Sequence, residues 1–138
     1  MRFNGMNRHN LDKQNRLFIP AKMREELGKK FVLFQAVNGD RCLYIYSVET
    51  WEKLADEIDN QPPSPELTMQ QRIFANNSDT VETDPQGRIT IKPDFVAFAG
   101  LEGESLITGA GHRIEIWNPK EHEKMLEKGK NITFNLRL

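Results

Sequence analysis

Cysteine is almost missing from this sequence. Cys42 is the only one in 138 residues, so no internal disulfide can form and a disulfide scaffold is excluded. A lone thiol suits a reducing compartment. No apolar stretch approaches the roughly 20 residues that a membrane-spanning helix needs, and the opening residues Met1 to Arg8 hold no apolar run of signal-peptide length. The expectation is a cytoplasmic chain, in which the Asn76-Asn77-Ser78 and Asn131-Ile132-Thr133 sequons are chance matches. Histidine is scarce and scattered: His9, His112 and His122 show no metal-ligand spacing. There is no glycine-rich phosphate loop, no Gly-x-Ser-x-Gly elbow and no His-Glu-x-x-His. These gaps predict a protein that is not an enzyme, with no metal, no cofactor and no small-molecule substrate. Cys42 reads as a buried structural thiol in a strand.

Net charge is also nearly absent, at −1, but the charges are unevenly spread. Residues 1–30 hold eight Lys/Arg against Asp12, Glu25 and Glu26, a local excess of +5. Residues 49–66 hold six acids against Lys53, a local excess of −5. Such a distribution fits one face that meets an anion and another that meets water or a partner.

What the sequence does have is an internal repeat, which decides the fold. Asp12-Lys13-Gln14-Asn15-Arg16-Leu17-Phe18-Ile19-Pro20 reads against Asp84-Pro85-Gln86-Gly87-Arg88-Ile89-Thr90-Ile91-Lys92. Gly28 and Gly100 keep the same offset. Leu43-Tyr44-Ile45-Tyr46 then reads against Ile114-Glu115-Ile116-Trp117, and Glu52-Lys53-Leu54 against Glu123-Lys124-Met125, after a slip of one residue.

Each copy predicts the same elements. A strand ends near Leu11 or Thr83. A tight turn follows, opened by Asp12 or Asp84 and closed by Asn15 or Gly87, both tolerant of positive φ. The next strand covers 16–19 or 88–91. Pro20 and Pro93 end those strands and open short helices over Ala21–Leu27 and 94–99, stopped by Gly28 and Gly100. A hairpin follows, 31–36 with 41–46 in the first copy and 105–108 with 113–117 in the second. Each copy closes on a helix: 48–58 capped by Ser47, and Pro119–Lys128 capped by Asn118. The Asn60-Gln61-Pro62-Pro63-Ser64-Pro65 segment is a linker whose end caps a connecting helix running to about Ala75. Strands this short and few cannot bury a face alone. The expected architecture is therefore α+β and β-rich: two units interleaved about a pseudo-two-fold, strands of one pairing with strands of the other.

The repeated Asp-x-x-x-Arg, Asp12/Arg16 and Asp84/Arg88, is the feature that could carry function. An arginine just past a hairpin turn stands on rigid backbone, and its guanidinium fork suits phosphate oxygens or a guanine edge. The same pair also reads as a plain turn staple, and spacing alone leaves both readings open. Arg8, His9, Lys13, Asn15, Lys22 and Arg24 add donors around the first copy, which favours an anion-binding surface there; a two-stranded turn of this kind fits a DNA groove. The second-copy stretch 79–102 has two basic residues against five acids. That contrast predicts unequal copies, with Arg16 as the main reader and Arg88 as a partner of Asp84. Tyr44, Tyr46, Trp51 and Trp117 read as core or interface packing rather than as stacking platforms.

The doubled Asp-x-x-x-Arg, the run from Arg16 to Gly28 and the His112-Arg113-Ile114-Glu115-Ile116-Trp117 pattern resemble the MraZ family, over about residues 5–128. These are bacterial transcriptional regulators with two SpoVT-AbrB swapped-hairpin domains in one chain. The resemblance implies domains at 7–50 and 77–121 and a β-barrel-like core with peripheral helices. It implies a ring-like homo-oligomer, cytoplasmic and nucleoid-associated. It also implies double-stranded DNA as partner, through direct repeats in the promoter of the division and cell-wall gene cluster. The family's DNA-binding arginine falls on Arg16 and its counterpart on Arg88, with Arg8, Lys13, Asn15 and Arg24 as further contacts and Asp12 and Asp84 in support. Asn15 stands where the family usually has glycine, and Lys92 where it has an apolar residue or proline. The alternatives are a structural ring protein, whose Asp–Arg pairs are only staples, and an antitoxin-like swapped-hairpin protein.

Overall fold

The computed structural model describes all 138 residues. The first copy runs β1 (Met6–Asn10), β2 (Arg16–Phe18), α1 (Ala21–Leu27), β3 (Lys30–Gln35), β4 (Leu43–Ser47) and α2 (Val48–Asp59). A connecting helix α3 (Pro65–Asn76) leads to the second copy: β5 (Ser78–Glu82), β6 (Arg88–Thr90), α4 (Pro93–Ala99), β7 (Glu104–Gly109), β8 (Ile114–Trp117) and α5 (Pro119–Lys128). Helix ends follow the sequence signals. The Ser47, Ser64 and Asn118 side chains accept hydrogen bonds from the first-turn amides of α2, α3 and α5, each satisfying a donor the helix cannot.

The strands interleave as the repeat predicts. Six form one antiparallel sheet in the order β1-β7-β8-β4-β3-β5, and β2 pairs with β6 in a separate two-stranded ribbon. β1 of the first copy lies on β7 of the second, β5 of the second lies on β3 of the first, and β4 meets β8 at the centre. Neither copy could make these pairings alone, so the two units fold as one body. The core is barrel-like in content, but the barrel does not close: β1 and β5 end the sheet without pairing to each other.

Alternation along the strands sends side chains to two separate cores. One face carries Phe31, Leu33, Leu43, Ile45, Ile107, Ile114 and Ile116 against Leu17 and Ile89 of the ribbon and against α1 and α4. The other carries Phe34, Cys42, Tyr44, Tyr46, Leu106 and Trp117, with Trp51 of α2, Phe74 of α3 and Met125 of α5 packed over them. Trp51 stacks on Phe74 at 3.7 Å between ring centroids. The aromatics expected to be core or interface residues thus hold the helices onto the sheet. Cys42 lies just before β4 rather than within it, and it is fully buried. Burial pushes its thiol pKa far up, aided by the nearby Glu115 carboxylate.

Candidate nucleic-acid interface

The two Asp-x-x-x-Arg motifs fold into the same capped turn. Asp12 Oδ1 accepts from the backbone amides of Gln14 and Arg16, both at 2.9 Å, and Oδ2 accepts from Arg16 Nε at 2.7 Å. Asp84 repeats the pattern with Gln86, Arg88 and Arg88 Nε, each at 2.9 Å. Asn15 and Gly87 close the turns at φ 60° and 81°, the left-handed region that asparagine and glycine tolerate. Both aspartates are held below the ordinary carboxylate range, chiefly by the arginine's backbone N–H; partial burial opposes this and the guanidinium adds to it. Each aspartate thus aims one arginine through Nε. Neither guanidinium makes another hydrogen bond within the chain, so Nη1 and Nη2 of both arginines are left over.

The ribbon brings both arginines together. Leu17 pairs with Ile89, its own equivalent in the other copy, so the pseudo-two-fold passes between them. Both are buried, and their neighbours alternate to the opposite face. That face carries Arg16, Phe18, Arg88 and Thr90, with Arg16 opposite Thr90 and Phe18 opposite Arg88. Arg16 and Arg88 are then diagonal neighbours, about 7–8 Å apart on strand geometry. The like charges are tolerated because each has its own aspartate.

Arg24 joins them from an unexpected direction. It belongs to α1 of the first copy, yet its guanidinium lies over the second copy's turn: a Cβ on Gly87 would fall 2.7 Å from Arg24 Cζ. Its Nε donates to the Ile19 carbonyl at 2.8 Å, and its Cζ sits 5.3 Å from the Phe18 ring centroid. Counting charge along the sequence therefore misplaces it. The second motif borrows Arg24 from the first copy, and Lys30 of the first copy pairs with Glu82; the pairs Asp79–Lys92 and Asp84–Arg88 form within the second copy and leave its charge balance unchanged. The charge difference between the two motifs is therefore narrower in the fold than along the sequence, and of the same sign. Lys92, the residue out of keeping with the family pattern, serves as Asp79's partner.

The other expected contacts divide. Lys13 is exposed on the Asp12 turn beside Asn15. Arg8 is not gathered with them. It stands opposite Leu106, on the helix-covered face of the sheet, and pairs with Glu104 at 2.7 Å. His9 packs on Phe18, His112 lies near Tyr46, and His122 is buried against Trp117 with its pKa lowered mainly by burial. No three His, Cys, Asp or Glu residues come close enough to hold a metal ion, and no helix is long and apolar enough to cross a membrane. Sequence reasoning missed Phe18 as part of the site, and Gly87 as the seat of the Arg24 guanidinium, which buries it. The pairing of β2 with its own repeat would have revealed the first, because it sets Phe18 beside Arg88.

A family model described as "MraZ protein, putative antitoxin-like" matches the chain twice, over residues 2–73 and 74–135. A protein from Heliobacterium modesticaldum is 36% identical over 127 residues, covering 91% of this chain and 87% of the relative. One from Alkaliphilus oremlandii is 39% identical over 123 residues, covering 88% and 85%, and one from Halothermothrix orenii is 38% identical over 119 residues, covering 86% and 82%. All three are named transcriptional regulator MraZ. Two tandem matches that fill the chain, together with the interleaved copies and the doubled aspartate-held arginine, make this protein a member of the MraZ family.

Proposed function

We propose that this chain is a DNA-binding transcriptional regulator of the MraZ type, not an enzyme, and that it reads DNA with the β2–β6 ribbon. One observation carries the reading: Arg16 and Arg88 lie diagonally on one outward ribbon face, each aimed by an aspartate and each with two guanidinium nitrogens unbonded within the chain. A two-stranded ribbon fits the roughly 12 Å major groove, where an arginine fork can meet guanine O6 and N7. Lys13, Asn15 and Arg24 flank the pair and suit phosphate contact, which fixes register without reading sequence. Arg8 belongs to the outer rim at most. The repeats at 7–50 and 77–121 are then one reading unit, since each supplies a single strand of the ribbon.

The target we propose is a set of short direct repeats in the promoter of the division and cell-wall gene cluster, bound by a ring-like homo-oligomer in the nucleoid. Self-association draws support from the C-terminal segment. Ile132, Phe134, Leu136 and Leu138 alternate with polar residues and are 69–96% exposed, a pattern suited to adding a strand to another copy's sheet edge. Footprinting on the DNA upstream of the chain's own gene tests the target. Protection of evenly spaced repeats is expected; a titration that protects no discrete sequence would overturn the reading. Light scattering after size exclusion should give several times 16.0 kDa, and a monomer at micromolar concentration would remove the ring.

A further inference from the structure

A two-fold reader has no direction. If the β2–β6 ribbon were perfectly symmetric about Leu17 and Ile89, it would dock on a duplex equally well in two orientations, and its preferred site would be palindromic. The backbone meets that condition: Ile19 N donates to the Gly87 carbonyl at 3.0 Å and Ile91 N to the Asn15 carbonyl at 2.8 Å. The side chains do not. At the Asp84 end the turn is Pro85-Gln86-Gly87, and the cation over it is Arg24, held by the Ile19 carbonyl and the Phe18 ring. At the Asp12 end the turn is Lys13-Gln14-Asn15, and the repeat position equivalent to Arg24 is Val96, which packs against the core. One end therefore carries a locked planar fork and the other a mobile ammonium on an exposed lysine. These donors bind phosphate with different geometry and different tolerance of its position. The substitution of Asn15 by Gly87 belongs to the same difference, because a side chain at 87 would displace the Arg24 guanidinium.

We propose that the ribbon docks on DNA in a single orientation, with Arg24 and Lys13 as the positioning residues that mark its two ends and make the preferred site asymmetric. This rests on the reading of the ribbon as the DNA-binding element. Gln14 and Gln86 are equivalent, exposed positions on the two turns, and Cys42 is fully buried, so a single introduced cysteine at either turn can carry an iron-chelate DNA-cleaving probe. The full chain would select its site from random duplexes. Gln14→Cys and Gln86→Cys proteins, each labelled, would then be bound to a duplex holding one selected site. The expected result is that the two probes cut opposite flanks and that the selected sequence is not palindromic. Both probes cutting both flanks equally, or a palindromic selection, overturns the proposal. Failure to enrich any sequence overturns the DNA-binding reading instead. In the Lys13→Gln, Arg24→Val protein, assayed at low salt where phosphate attraction keeps the complex formed, each probe should lose most of its preference for one flank, Phe18 and Thr90 remaining as the unlike pair on the ribbon face. Undiminished one-sided cutting there shows that other residues set the direction and overturns the assignment to this pair.

Discussion

The two repeats have kept their backbone and exchanged much of their chemistry. The aspartate-capped turn is reproduced bond for bond, with hydrogen bonds of 2.7–2.9 Å in the first copy and 2.9 Å in the second. Around it, Lys13 faces Pro85, Asn15 faces Gly87, Phe18 faces Thr90 and Arg24 faces Val96 across the offset. What is preserved is the device that aims an arginine; what varies is the surface on which that arginine stands. Because the copies are interleaved, a residue's copy in sequence does not say which turn it serves, as Arg24 shows.

The comparison can be strained first at its axis. Leu17 and Ile89 are both essentially inaccessible and face each other across the ribbon. Leu17→Ala and Ile89→Ala should each cost about 2–5 kcal/mol, the range for such truncations in a packed core. Urea unfolding should give one cooperative transition in each variant, and two separate transitions would show that the two halves do not share one core. Next come the arginines. Arg16→Ala and Arg88→Ala should each weaken binding to an operator fragment by about 5- to 150-fold, corresponding to about 1–3 kcal/mol for a guanidinium–base contact. Titration by fluorescence anisotropy measures this; an effect confined to Arg16 would restore the inequality that segment charge suggests.

Salt sharpens the same point. If Lys13 and Arg24 each neutralise a phosphate, Lys13→Gln and Arg24→Gln should each reduce the slope of log K against log salt by about 0.9. An unchanged slope would remove that residue from the phosphate contacts.

The smallest effect is on pH. Asp12 and Asp84 have pKa values lowered on folding, so the unfolded chain binds their protons more readily. Their contribution to stability is present above the ordinary aspartate value of about 3.9 and is lost as pH falls through the lower folded values. Melting temperature should therefore drop in that acid window, and Asp12→Asn and Asp84→Asn should each shallow the drop to a similar degree.

Much of this was legible in the sequence. Asp at a turn's start, a φ-tolerant residue at its end and apolar alternation beyond gave both motifs their place on a hairpin, and Ser47, Ser64 and Asn118 gave their helices a start. The swap was legible only as a necessity, since units too small to bury a face must share one. The register was not. Nothing local to β2 says that Leu17 meets Ile89, yet that pairing puts Arg16 and Arg88 on one face and Arg24 against Gly87. Arg8 failed as a neighbour for the same reason: its face is decided by pairing with β7, a strand almost a hundred residues away.

The measurement closest to the central claim compares the wild-type chain with Arg16→Ala, Arg88→Ala and the double variant, by titration of one operator fragment and thermal melting under the same buffer. Comparable affinity losses in both single variants, a larger loss in the double and melting temperatures close to wild type are the results expected of a shared reading ribbon. Full affinity in the double variant, or affinity lost only in step with the fold, would mean that the aspartate–arginine pairs are turn staples and that DNA is bound elsewhere.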